Sequence, residues 1–290
     1  MTKKLIKYQP TQVAYHNQLN SLVLPKFYEQ CLNVYETMLV FWKQQLKDEG
    51  ATNPFVISTA YIADKLGVDK AHLSNLRANI DTVMTALGEP MQMYRDDGSY
   101  QSFYMLKRSA RDDKSDSWAM WLNEDDFQIF RELNNRFTRY DLSTYAAING
   151  KYAKRLFPLL MQWKTCGKLI MTPKKLANLL QAPNRRLMVA VVTPAVKELS
   201  KIIPSLKVKP TYKMVAGHKR LMTIEFTFAI VKSDLSTPKP AKDGQKLINV
   251  IPFPAIPQEQ PKDSHKDEMV ISYQALSQSE KQAINDQLPF

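Results

Sequence analysis

One succession of patterns runs twice along these 290 residues: a long amphipathic helix, a short strand, two helices across a tight turn, and a two-stranded hairpin. A chain built this way folds as two related units, each burying the apolar face of its own helices. In the first passage Tyr28, Cys31, Leu32, Tyr35, Met38, Leu39, Trp42 and Leu46 recur at helical spacing between Pro25 and Lys47. Pro54 to Ile57 predicts a strand, and Ser58 caps a helix from Thr59 to Leu66. Gly67-Val68-Asp69 breaks the pattern before a second helix from Lys70 to Leu87. Ile62, Ala63, Leu66, Gly67, Val68, Leu73 and Leu76 have the spacing of a helix-turn-helix, in which a small residue lets two helices cross closely and Gly makes the turn. Any helical hairpin can imitate that spacing, so the strands after it carry the weight. Gln92 to Arg95 and Tyr100 to Leu106 read as strands around the turn Asp96-Asp97-Gly98-Ser99. A third strand, Trp118 to Leu122, and a helix from Asn123 to Phe137 close the unit.

The second passage begins after Asp141 to Thr144. Tyr152, Leu156, Leu159, Leu160 and Trp163 share one helical face, and Lys168 to Met171 reads as a strand. Thr172-Pro173 supplies a cap and a proline at the first helical position of a helix from Lys174 to Leu180. A turn at Gln181 to Asn184 precedes the second helix, Arg185 to Ile203, which Pro194 is expected to kink or break. Leu206 to Tyr212 and Leu221 to Ile230 form the hairpin, with Ile224, Phe226, Phe228 and Ile230 alternating inward. Helix, strand, helix-turn-helix and hairpin is the winged-helix order. The expected fold class is therefore α+β and helix-rich, with tandem winged-helix (helix-turn-helix) domains at 1–140 and 141–232. Residues 233–290, with Pro238, Pro240, Pro252, Pro254, Pro257 and Pro261, are expected to be a Pro-rich linker and flexible C-terminal tail.

Charge is unevenly placed along this chain. Residues 1–149 hold 17 Lys/Arg and 18 Asp/Glu, residues 150–230 hold 16 against 2, and residues 231–290 hold 7 against 8. A folded unit with a net charge of +14 and almost no acid faces a polyanion; solubilising surfaces mix both signs. No apolar run approaches the roughly 20 residues of a membrane span, and Met1 to Lys7 is too polar for a secretory signal, so no membrane partner and a cytoplasmic location are expected. Cys31 and Cys166 each sit in an amphipathic stretch and read as buried thiols. His16, His72, His218 and His265 lack metal-ligand spacing, so no metal or other cofactor is expected. No G-x-x-x-x-G-K-[ST] loop is present, which disfavours an ATP-driven motor. A rolling-circle nickase pairs a Tyr with histidine-held metal; the tyrosines are present, but that histidine pattern is missing. The chain is not expected to be an enzyme.

Reading DNA needs cations that grip phosphates beside a helix offering hydrogen-bonding side chains to base edges. In the second unit Arg185 and Arg186 open the candidate recognition helix, and Lys197 and Lys201 come after them; Lys174 and Lys175 start the preceding helix. The hairpin tip adds Lys213, His218, Lys219 and Arg220. The first unit offers Lys70, His72, Ser74, Asn75 and Arg77. Its hairpin tip is expected to be acidic through Asp96 and Asp97, so this unit should use its helix sparingly or serve partly in self-association.

The run Lys151-Tyr152-Ala153-Lys154-Arg155-Leu156-Phe157-Pro158-Leu159-Leu160 and the later Thr193-Pro194-Ala195-Val196-Lys197-Glu198-Leu199 resemble second-domain signatures of the theta-type plasmid replication initiators that bind iterons. The resemblance covers roughly residues 1–230 and is strongest from 150 to 230. It implies two winged-helix domains reading direct repeats in double-stranded DNA at a plasmid origin, melting of adjacent A·T-rich DNA, and recruitment of host replication proteins. Those partners are expected to be a host initiator and a helicase; the terminal Gln287-Leu288-Pro289-Phe290 also resembles peptides that dock on a sliding clamp, though chance gives such a match more readily. It further implies a homodimer, in equilibrium with monomer, that represses the initiator's own promoter. Pro158 and the apolar run Met188 to Val192 depart from what that pattern leads one to expect. A tandem winged-helix transcription regulator would share every one of these DNA-binding features, and remains the alternative; a nickase is the rival from the enzyme class.

Overall fold

Apolar spacing of 3 to 4 residues with buried Leu32, Tyr35, Leu39 and Trp42 builds α1 (Glu29–Gln45), around which the first half is assembled. The structure is a computed structural model and describes residues 12–46, 50–94, 99–123, 137–183 and 185–229. After α1 come β3 (Phe55–Ser58), α2 (Thr59–Leu66), a 3-10 turn (Lys70–His72), α3 (Leu73–Leu87) and the strands β6 (Leu106–Asp112) and β7 (Ser117–Leu122). The Ser58 hydroxyl accepts from the Tyr61 amide, and Gly67 ends α2 at φ 65°, a left-handed position that a side chain would strain.

The second half repeats this order: α5 (Lys151–Gln162), β9 (Lys168–Met171), α6 (Pro173–Leu180), a helix over Leu187–Leu199, then β10 (Lys207–Val215) and β11 (His218–Thr227). Thr172 caps α6 through the Lys175 amide, and Gln181 takes the left-handed position, φ 53°, that Gly67 holds in the first half. The sheets match as well. Their strand orders are β3-β7-β6 and β9-β11-β10, in each case first strand, third strand, second strand, and all antiparallel. The chain is thus a tandem winged-helix protein of mixed α and β structure.

That symmetry moves the first wing. The hairpin around residues 96–99 does form, as β4 (Met91–Tyr94) and β5 (Tyr100–Phe103), but it pairs with β2 (Leu22–Val23) in a separate sheet. The true wing is β6–β7, whose turn lies between Asp112 and Ser117. The expected strand from Tyr100 to Leu106 is two strands, because Tyr104-Met105 breaks the ladder. Asp96, Asp97 and Gly98, most of the expected helix from Asn123 to Phe137, and the whole expected tail lie outside the described residues.

An antiparallel pair that the sequence did not suggest, β1 (Gln12–His16) with β8 (Phe137–Asp141), closes the first half, and α4 (Leu142–Ala146) comes directly after it. Beside this pair runs the seam between the halves. Arg155 on α5 donates to the carbonyls of Leu24 and Pro25, Gly150 N donates to Glu29 Oε2 at 2.7 Å, and Asn178 Nδ2 on α6 donates to the Tyr94 hydroxyl at 3.2 Å. Lys154, fully buried, donates to the carbonyls of Tyr145 and Ala146 at 2.8 and 3.1 Å, closing the end of α4. The Tyr140 hydroxyl donates to the buried Glu36 at 2.7 Å. All described residues belong to one compact unit.

Two further readings need correction. Cys31 is buried, but Cys166 is exposed, because α5 ends at Gln162 and Cys166 falls in the turn before β9. The helix expected from Arg185 to Ile203 starts later and ends earlier, and the break expected at Pro194 takes the form of a π-type segment, Leu187–Val192, running into α7, Thr193–Leu199. Pro194 sits in the first turn of α7, where its missing N–H coincides with the widened π turn.

Candidate nucleic-acid interface

In the second half the helix Leu187–Leu199 buries Leu187, Val191, Val192, Ala195 and Leu199 against the domain core. Arg185 and Arg186 stand exposed ahead of it, and Arg186 holds φ 60°, a left-handed conformation for a residue with a Cβ. Such local strain, next to a π segment, is common at functional sites. Lys197 is exposed one face away from the core. Lys201 is exposed too, but its Nζ lies 2.5 Å from Glu198 Oε2, and hydrogen bonds from Lys201 and Asn149 hold the Glu198 carboxyl below its usual range. Lys174 is exposed and Lys175 half-buried on the first turn of α6.

The wing β10–β11 reaches beyond its sheet. Strand β9 pairs only with Ile224 to Thr227, so everything from Thr211 to Arg220 is a free two-stranded ribbon, exposed at each position. Its tip turns through Ala216 and Gly217, both at positive φ, the geometry of a tight two-residue hairpin turn. Lys213 lies directly opposite Arg220 in the register. Like charges opposed across a ladder destabilise it, and a bound anion removes that cost. On the other face Lys219 Nζ lies 4.7 Å over the Tyr212 ring, with Met214 opposite Lys219.

The first half is arranged differently. Lys70, His72, Ser74 and Asn75 are exposed at the start of α3. Arg77 is only half-exposed and forms a two-pronged pair with Asp116 in the wing turn, Nε to Oδ1 at 2.8 Å and Nη2 to Oδ2 at 2.7 Å. Thr59 Oγ1 donates to the same carboxylate at 2.8 Å, so one aspartate ties α2, α3 and the wing together. Arg77 holds the Asp116 carboxyl below its usual range. Asp81 plays a similar part, accepting from Trp118 Nε1 at 2.8 Å and Arg111 at 2.6 Å.

Because the wing is β6–β7, its cations are Lys107, Arg108, Arg111 and Lys114, all exposed, balanced in part by Asp112, Asp113 and Asp116. Reading the β4–β5 hairpin as the wing misses them. The signal is present: the polar run Lys107 to Arg111 precedes Asp112-Asp113-Lys114-Ser115-Asp116, a turn-forming cluster, and then the apolar strand Trp118 to Leu122. Counting charges along the sequence also overstates the surface charge of the second half, since Lys154 and Arg155 are buried. Among the described residues no group of three or more His, Cys, Asp or Glu is arranged to hold a metal ion, and no helix is long and apolar enough to cross a membrane.

Residues 12–161 match the family model described as initiator replication protein, WH1. Over 243 residues the chain is 23% identical to a probable replication protein, rep, of Bifidobacterium longum (strain NCC 2705), covering 79% of this chain and 76% of that one. In backbone it is similar to the Pi initiator protein, solved in complex with iteron DNA, with a TM-score of 0.55, 14% identity, and coverage of 78% of this chain and 99% of that one. Domains 2 and 3 of RctB superpose with a TM-score of 0.38 at 10% identity, over 77% of this chain and 93% of that one.

Proposed function

The chain belongs to the initiator replication protein family, and from that premise we propose that it starts plasmid replication by binding iteron repeats at the origin as double-stranded DNA. The observation that carries this reading is the second winged helix, where exposed cations with no ion pair among the described residues stand on both elements a winged helix presents to DNA: Lys213, Lys219 and Arg220 on the ribbon, and Arg185, Arg186 and Lys197 at the helix. Helix side chains enter the major groove, and the ribbon tracks the phosphates or the minor groove. Lys70, His72, Ser74 and Asn75 let the first domain read a neighbouring part of the same repeat. Support for iterons as the target is the likeness to the Pi initiator protein, solved with such DNA.

In this reading residues 1–140 and 141–232 are the two DNA-reading domains, and 233–290 is a tether to host replication proteins. The protein does no covalent chemistry and works in the bacterial cytoplasm. Binding to several repeats opens adjacent A·T-rich DNA, and a DNA-free dimer represses the initiator's own promoter. The test is footprinting of the full chain on the DNA that carries its coding sequence. Protection of several direct repeats beside an A·T-rich stretch is the expected result. Protection confined to one promoter palindrome would identify a transcription regulator instead.

A further inference from the structure

The helix Leu187–Leu199 exposes Val189, Ala190, Thr193, Pro194 and Lys197, and Arg186 stands exposed just ahead of it. From Val189 the spacing of i, i+1, i+4, i+5 and i+8 forms one stripe, opposite the buried Leu187, Val191, Ala195 and Leu199, with Arg186 at its start. The ends of the stripe are cations. Its middle is uncharged, and Val189, 75% exposed, is the most exposed large apolar side chain among the described residues. A valine left bare on a helix gains nothing in water, and one bracketed by Arg186 and Lys197 is poorly suited to docking on an apolar protein surface. In the DNA major groove the only apolar feature a base edge presents is the C5-methyl of thymine, which small side chains of this kind contact.

We propose that Val189, with Ala190 and Thr193 beside it, reads thymine by packing on its C5-methyl group, while Arg186 and Lys197 hold the two ends of the stripe against the duplex. The inference deepens the DNA-binding reading and rests on it. It also accounts for the apolar run Met188 to Val192: Leu187, Val191 and Val192 are core, and Val189 is the reader. The left-handed Arg186 and the π segment stand at the start of this helix.

The probe is a duplex selected by the full-length chain from a random-sequence pool, remade with uracil in place of thymine, first throughout and then one position at a time. Wild type is expected to lose roughly fourfold in affinity for each contacted methyl removed. In Val189→Ala that thymine preference shrinks at one position to within about twofold, and in Val189→Ile it is retained. Val189 touches little, so the variants keep the wild-type circular dichroism and melting temperature. An equal thymine-to-uracil ratio at every position in wild type and Val189→Ala would overturn the inference, as would unchanged binding by Val189→Ala to both duplexes. Failure of wild type to enrich any sequence from the pool would instead overturn the DNA-binding reading beneath it.

Discussion

Glu36 and Lys154 lie in the seam between the halves, and burial disfavours the charged form of each: it pushes the carboxyl up to about 8 and pulls the ammonium down to about 8. The facing Tyr15, Tyr35, Tyr140 and Tyr145 are pushed well above their usual range and stay neutral. Between the ordinary glutamate value and pH 8 the folded chain therefore holds a proton on Glu36 that the unfolded chain has lost, so stability falls as pH rises through that window. Between pH 8 and the ordinary lysine value the unfolded Lys154 holds a proton that the folded one has lost, so there its contribution makes stability rise with pH. Glu36→Gln is expected to gain on wild type by on the order of 3 kcal/mol between pH 5 and 7.5, read by denaturant unfolding; a pH-independent difference would contradict the assignment. Arg77 and Asn75 make a second contrast. Arg77→Ala should lower the melting temperature, because the Asp116 clasp is lost, whereas Asn75→Ala should change DNA binding at constant melting temperature. A sequence shows Arg77 as a cation beside a reading helix; its partner is 39 residues away, and only the folded turn brings them together.

At the scale of elements, the wing ribbon carries its cations past the sheet. Removing Lys219 and Arg220 together should weaken binding to specific and random duplexes alike and flatten the salt dependence by about two units, since each phosphate contact contributes roughly 0.9 to the slope. An unchanged slope would mean that the ribbon does not touch phosphate. Elements with a clean period were legible: Thr59–Leu66 and Lys168–Met171 are where the spacing put them, and the Ser58 and Thr172 caps form. The first wing was not, because two hairpins come after α3 and periodicity alone does not say which one pairs with β3. Nor was the β1–β8 pair, whose strands lie more than 100 residues apart. The π segment escaped because a widened turn leaves the inward residues of a helix nearly where a regular turn would put them.

For the whole molecule, the charge that remains exposed after Lys154 and Arg155 are buried still separates a near-neutral first half from a basic second half. The first half can approach its own copy without strong repulsion. A DNA-free dimer is the expected mass by light scattering at micromolar concentration, and a monomer throughout would count against autorepression. A chain ending at Lys232 should bind origin DNA as full length does; a large loss would rule out a tether role for residues 233–290. In the proposed function two helices discriminate sequence while the second domain supplies most of the affinity. The measurement is binding of wild type, Arg186→Ala, Asn75→Ala and the Lys219, Arg220 double variant to repeat and scrambled duplexes across a salt series. The Arg186 and Asn75 variants should lose roughly 1 to 3 kcal/mol on the repeat and far less on the scrambled duplex, with the double variant losing equally on both. Equal losses on both duplexes for Arg186→Ala and Asn75→Ala would contradict the assignment of the recognition helices.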